Sequence, residues 1–285
     1  MNQSPLAGRL AALLRAGCRA ASPARAGLKL ERFLLDADGR PVPFPRAERV
    51  LRRIRPFYTG EIRSDGWLTG LSRPDCLVRL VRAGQLACRI APQQSLMRLR
   101  RLHERVAFEL DAALAAERLT ACAQGSLPAE PPLDLPLLPD PRTSCLGAFL
   151  SASGADGGRL LKDTAHLTVT LDYANERDFS RKLAAACRLT PLLMLYAEHT
   201  PSGGGHLLRA ALCAQSVPEL FGFPDCAFEG ASFADYAAWV CRMPPVLLPD
   251  GEGFAYTGSV PASALFRRRP ATDADAAFLL DAVYP

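Results

Sequence analysis

The residues best placed to do chemistry lie on three stretches in which polar and apolar side chains alternate. In Thr164-Ala-His-Leu-Thr-Val-Thr-Leu-Asp-Tyr173, Leu167, Val169 and Leu171 point one way and His166, Thr168, Thr170 and Asp172 the other, because successive side chains of a strand face opposite sides. Gly27 to Phe33 sets Lys29 and Glu31 on one face, and Gln85 to Ile90 does the same for Gln85 and Arg89. Together these strands predict a polar sheet face carrying Lys29, Arg89, His166 and Thr168, with Glu31 and Gln85. Its cations and its amide and hydroxyl donors suit a small anion or an amino acid. Glu31 is either a surface strand acid or a ligand. Beside Lys29 it makes a weak metal site, since Mg²⁺ needs several hard oxygen donors. His166 reads as a spacer on this face rather than a base.

Other chemistries find little support. Nine cysteines are scattered at positions 18, 76, 88, 122, 145, 187, 213, 226 and 241. Their odd number and the absence of any C-x-x-C argue against a disulfide framework or a zinc site and for reduced thiols in a cytoplasmic protein. The four histidines include no H-x-x-x-H pair. The glycine loop Pro201 to Gly205 lacks the G-K-[ST] ending of a phosphate cradle and reads as a plain turn. Lys and Arg number 34 against 29 Asp and Glu, a balance that argues against a nucleic-acid partner. No apolar run is long enough for a bilayer, so no membrane partner is expected.

The elements that must position these residues follow from periodicity. Leu6, Leu10, Leu13 and Leu14 predict an amphipathic helix over 6–16, preferred to a transit-peptide reading of the Arg- and Ala-rich start. Asp65-Gly66 predicts a hairpin turn between Glu61–Arg63 and Trp67–Leu68. Short helices are expected over 47–54, 232–241 and 273–282. A long helix is expected over 95–119, with Leu96, Leu99, Leu102, Val106, Leu110 and Leu114 on one face. Asn175 should cap a helix through Phe179, Leu183 and Cys187, followed by a second helix from Pro191 to Glu198. Residues 126–141 are proline-rich and read as a long mobile loop. The whole, residues 1–285, reads as one α+β domain.

The order of these segments resembles the glutamate–cysteine ligase family in its plant and bacterial type-2 form. Gly27-Leu-Lys-Leu-Glu-Arg-Phe33 with Pro41-Val-Pro-Phe-Pro45 looks like the family's G-x-E-x-E-x-F strand. Ala83 to Pro92 looks like its P-G-G-Q-x-E strand, and Thr164 to Lys182 like its T-x-x-x-Q-V-N-x-D-[FY] strand and following helix. His206-Leu-Leu-Arg209 to Pro245 is similar to a segment with an arginine, a D-P-x-R-x-G loop and a D-Y-x-x-[WY] helix, here Asp235-Tyr236 and Trp239. The resemblance implies an antiparallel bowl of glutamine-synthetase-like ligase fold, with helices on the apolar face, and truncation at the C-terminus. It also implies ATP and Mg²⁺ as cofactors in joining glutamate to cysteine for glutathione biosynthesis.

The residues depart from that pattern at the metal positions. The first Glu of E-x-E is Lys29, the Glu of Q-x-E is Ala87, and Gln and Asn of Q-V-N are Thr168 and Thr170. The Asp and Arg of D-P-x-R-x-G are missing from Val217 to Gly222. Glu31, Gln85, Thr164, Asp172 and Arg209 are kept, although Arg209 could equally serve only to pair a nearby acid. The expectation is a catalytically degenerate relative that binds a small anion or a partner. The alternative is an active carboxylate–amine ligase with a rearranged site, or one completed by a second chain covering an open sheet edge.

Overall fold

The predicted leucine stripe forms helix α1 (Pro5–Ala16), with Leu6, Leu10 and Leu14 buried. Its proline lies in the first turn, where no helical donor is lost. The computed structural model describes residues 4–19, 24–127, 134–152, 154, 157–200, 207–216, 218–251, 253–267 and 269–282, without the side chain of residue 219. The glycine loop at 201–205 and residues 128–133 of the proline-rich stretch lie outside these.

Strand β1 (Ala26–Leu35) is followed by helix α2 (Phe44–Ile54) and an antiparallel meander of β2 (Gly60–Ser64), β3 (Trp67–Arg73), β4 (Cys76–Val81) and β5 (Gln85–Gln93). Asp65 and Gly66 both take positive φ, as a tight hairpin turn requires. β5 returns antiparallel beside β1, with Lys29 opposite Arg89 and Glu31 opposite Ala87. Helix α3 (Leu96–Ala116) follows, its first turn capped by the Ser95 hydroxyl. On the far side of β1, two strands share one edge. β6 (Thr120–Cys122) pairs Phe33–Leu35, and β7 (Leu167–Leu171) pairs Ala26–Leu30. The result is a mixed α/β protein built on a seven-stranded antiparallel sheet, counted among the described residues.

One face of this sheet is apolar and covered, as the alternation predicts. Val50, Leu51 and Ile54 of α2 and Val106, Leu110 and Leu114 of α3 pack on Leu71, Val78, Leu80, Leu86 and Ile90. Each such side chain contributes roughly 1.5–3 kcal/mol by leaving water. The cover stops short of β7, whose Leu167, Val169 and Leu171 stay more than half exposed. It also stops short of the start of α3, where Leu96 projects into solvent while Leu99 and Leu102 pack partly on the core.

The remaining elements are α4 (Pro141–Ala152), α5 (Gly157–Lys162), α6 (Glu176–Tyr196), α7 (Leu208–Ser216), α8 (Phe233–Arg242), the hairpin β8 (Val246–Asp250) and β9 (Gly253–Gly258), α9 (Ala262–Leu265) and α10 (Asp273–Ala282). α1 packs with α8 and α10 around Phe233, Trp239 and Leu279, while α4, α5 and α7 share a smaller core.

Two expectations are corrected, and one strand was not foreseen. α6 is one helix with Pro191 inside it rather than two. It is largely exposed, so water can take the carbonyl left without its backbone partner. The proline-rich stretch is not free where it is described. Leu127, Leu135 and Leu138 are buried, and α4 begins at Pro141. Strand β4 escaped the sequence reading because Cys76-Leu-Val-Arg-Leu-Val81 is almost continuously apolar and shows no alternation. No helix among the described residues is long and apolar enough to cross a membrane.

Candidate functional site

Glu31 lies at the centre of the polar face, and its side chain is almost fully buried. Alternation on β1 puts it on the same side as Lys29, whose Nζ lies 2.7 Å from Oε1. Arg82 Nη1 lies 2.8 Å from Oε2, and His166 Nδ1 lies 2.9 Å from the same oxygen. Burial pushes this carboxyl's pKa up, but the contact with His166 and the charges of Arg82 and Lys29 more than reverse it, holding the group well below the usual carboxylate range. Burial holds the His166 imidazole below its ordinary value, with Arg82 and Arg209 acting in the same direction against the pull of Glu31.

Further hydrogen bonds fix this cluster. Arg82 Nη1 donates to the Thr164 carbonyl at 2.9 Å. The fully buried Thr164 hydroxyl accepts from Arg209 Nη1 at 2.6 Å and donates to the Leu160 carbonyl at 2.7 Å. Gln85 is buried too, and its Nε2 donates to the Leu161 carbonyl at 2.9 Å, while its Oε1 has no hydrogen-bond partner. The segment joining α5 to β7 therefore closes one end of the polar face through backbone carbonyls.

The other end is open. Arg89 and Thr168 flank Lys29 on β5 and β7 and are exposed. Arg79 on β4 stands opposite Ala87 and hence on the same face, half-buried, with a buried Nε that has no acceptor. Like charges directly opposed across a sheet are destabilising unless something offsets them. Here Lys29 faces Arg89, and Lys29 alone of the two holds an acid.

Of the residues expected from sequence, the structure gathers Lys29, Glu31, His166, Thr164 and Arg209 into one network. Gln85 sits at its margin, and Arg89 and Thr168 lie on the open sheet. The sequence reading missed Arg82 and Arg79. Arg82 occupies the turn between β4 and β5 with φ of 53°, where strand alternation gives no direction. Its signal was the motif itself, since the proline of P-G-G-Q-x-E falls on Arg82. Arg79 was hidden with β4.

These residues do not fit a divalent metal. Lys29 occupies one oxygen of Glu31, and Arg82 and His166 occupy the other. Among the described residues no group of three or more His, Cys, Asp or Glu is placed to hold an ion. Burying a cation beside Lys29 and Arg82 would add repulsion where ATP-dependent ligation needs attraction. The cationic groups fit an anion, but not the magnesium that would accompany a nucleotide triphosphate.

No family model matches the chain. Among curated proteins, it is similar to the chloroplastic glutamate–cysteine ligase of Brassica juncea, at 23% identity over 194 residues. The match takes in 67% of this chain and 38% of the relative, so the chain spans well under half of the ligase's length. The similarity to that plant ligase is distant and partial.

Proposed function

We propose that the polar sheet face is a metal-independent binding site for a small carboxylate or phosphate anion, on a scaffold descended from the glutamate–cysteine ligases whose ATP-dependent ligation this chain no longer performs. The carrying observation is the charge arrangement. Lys29, Arg82 and His166 all lie within ion-pair distance of the one acid of the cluster, while Arg79 and Arg89 beside them hold no carboxylate among the described residues. The similarity to the plant ligase supports the ancestry. The antiparallel sheet with helices on one face is compatible with the bowl of glutamine-synthetase-like ligases. In the chemistry of this site, Arg79 and Arg89 engage the anion from the sheet, and Lys29 takes the place of a metal beside Glu31 as a fixed positive charge.

Isothermal titration calorimetry with glutamate, inorganic phosphate and ATP, each with and without Mg²⁺, tests this reading. The expected result is binding of at least one of these anions that is unchanged by Mg²⁺ and lost in the double variant Arg79→Met/Arg89→Met. Binding that requires Mg²⁺ overturns it, as does ADP release from ATP with glutamate and an amino-acid acceptor.

A further inference from the structure

Strand β7 has one neighbour among the described residues, β1. The hydrogen bonds on that side fix which way its backbone points. Glu31 N–H donates to the His166 carbonyl at 3.1 Å, and Asp172 N–H donates to the Arg25 carbonyl at 3.3 Å. In an antiparallel ladder these groups alternate. The even-numbered residues of β7 therefore face β1, and Leu167, Val169 and Leu171 turn their N–H and C=O groups outward. The same three side chains are 58%, 57% and 51% exposed. No lysine, proline or bulge protects this edge, although exposed edges ordinarily carry one.

The sequence of the strand is Leu167-Thr-Val-Thr-Leu171, which reads the same in both directions. We propose that β7 pairs antiparallel with β7 of a second copy, about a twofold axis through Val169. This register sets Leu167 opposite Leu171 of the second copy, Thr168 opposite Thr170, and Val169 opposite itself. The residues that exchange bonds across the axis are then Leu167, Val169 and Leu171, whose backbone groups already point outward. Like side chains meet on both faces: leucines and valines on one, threonines on the other, both favourable cross-strand pairings. One step further out, His166 and Asp172 keep their partners within each copy, Glu31 and Arg25. A twofold interface must present one self-complementary patch, and the palindromic edge does so over these five residues; the ladder ends there, because Ala165 N–H already donates to the Gly125 carbonyl and the Tyr173 carbonyl already accepts from Arg19 N–H.

A five-residue ladder is small beside the roughly 800 Å² per partner of a stable interface. Helix α6 supplies further apolar surface on the same flank. Gly125 N–H donates to the His199 carbonyl and Ala165 N–H to the Gly125 carbonyl, which brings the end of α6 back to the start of β7. That end carries Leu192, Leu193 and Leu195, each more than half exposed. This inference stands apart from the proposed anion site.

Sedimentation velocity of the full chain over a micromolar concentration series provides the test. The expected result is a monomer–dimer equilibrium. Val169→Lys sets two ammonium groups against each other on the axis. Val169→Pro removes one outward donor while leaving every bond to β1. Each should weaken the dimer about tenfold or more, with circular dichroism unchanged for at least one of them. A chain that stays monomeric up to about 100 μM overturns the proposal, as does a dimer that both variants leave intact. So does strong protection of the Val169 amide from hydrogen exchange in the monomer, which would mean that something else covers the edge.

Discussion

Glu31 and the largely buried Glu109 each meet more than one basic group, and they differ in what is left over. Glu109 on α3 receives Arg73 through bonds of 2.9 Å and Arg105 at 3.2 Å, and Asp75 takes a further nitrogen of Arg73 at 2.9 Å. Two arginines meet two acids, and the Tyr58 ring lies 4.7 Å from the Arg73 guanidinium. That cluster is electrically closed and pins α3 to the meander. Glu31 on the opposite face meets Lys29 and Arg82, with His166 as a third partner and Arg79 and Arg89 beside them. One acid there answers several cations. A closed cluster holds a structure together, whereas a cluster with cations in excess leaves positive charge over, which is what the proposed anion would meet.

The comparison breaks most sharply at the carboxylates. Glu31→Gln leaves Lys29 and Arg82 partly buried without a counter-charge, and should cost about 3–5 kcal/mol in urea unfolding. Adding Lys29→Met to that variant should recover part of the loss. Glu109→Gln should cost less, about 1–3 kcal/mol, because Asp75 still holds Arg73. Equal losses at the two sites would remove the distinction.

The arginines should separate in the other sense. Arg89→Met and Arg79→Met should weaken anion binding by about tenfold each, the equivalent of roughly 1.4 kcal/mol. They should leave stability unchanged or raise it, since each relieves repulsion. Arg73→Met should do the reverse, costing about 3 kcal/mol of stability while calorimetric binding is preserved.

The smallest effect is on pH. The folded-state pKa of His166 lies below its unfolded value, so the unfolded chain takes up the proton first. Stability is full above about pH 6.5 and falls as the pH drops below it, by up to about 1.4 kcal/mol per pH unit for one proton. The depressed carboxyl of Glu31 adds a second loss that begins near the ordinary carboxylate pKa of 4.5 and continues below it. His166→Asn should shrink the first limb, leaving the part due to His103, which burial also holds below its ordinary value, and keep the second. A flat profile between pH 6.5 and 5 in the wild type would contradict the burial of a neutral imidazole.

Much of this arrangement was legible in the sequence, and the omissions have physical causes. Alternation was enough to put Lys29 and Glu31 on one face, and the resemblance brought Thr164 and Arg209 into view together. What alternation cannot give is distance. It left open that Glu31 and His166 touch, and that Lys29 and Arg82 close on the same carboxylate. Alternation could not show Arg82 because a turn residue has no strand face, nor Arg79 because β4 carries apolar residues on both sides. The exposure of Leu167, Val169 and Leu171 was hidden for the opposite reason. Their pattern is that of a half-buried strand, but α2 and α3 lie over the meander and do not reach β7.

The contacts that build the Glu31 cluster also set when it can form. Glu31 reaches Arg82 across 51 residues, Arg82 reaches His166 across 84, and Thr164 reaches Arg209 across 45. The β2–β5 meander needs only short hairpin closures. Since loop closure must precede the reward of distant contacts, the meander with α2 and α3 should assemble first and the polar face last. Substitutions at Val78 or Leu80 should then slow folding, whereas those at His166 or Thr164 should leave the folding rate nearly unchanged and speed unfolding.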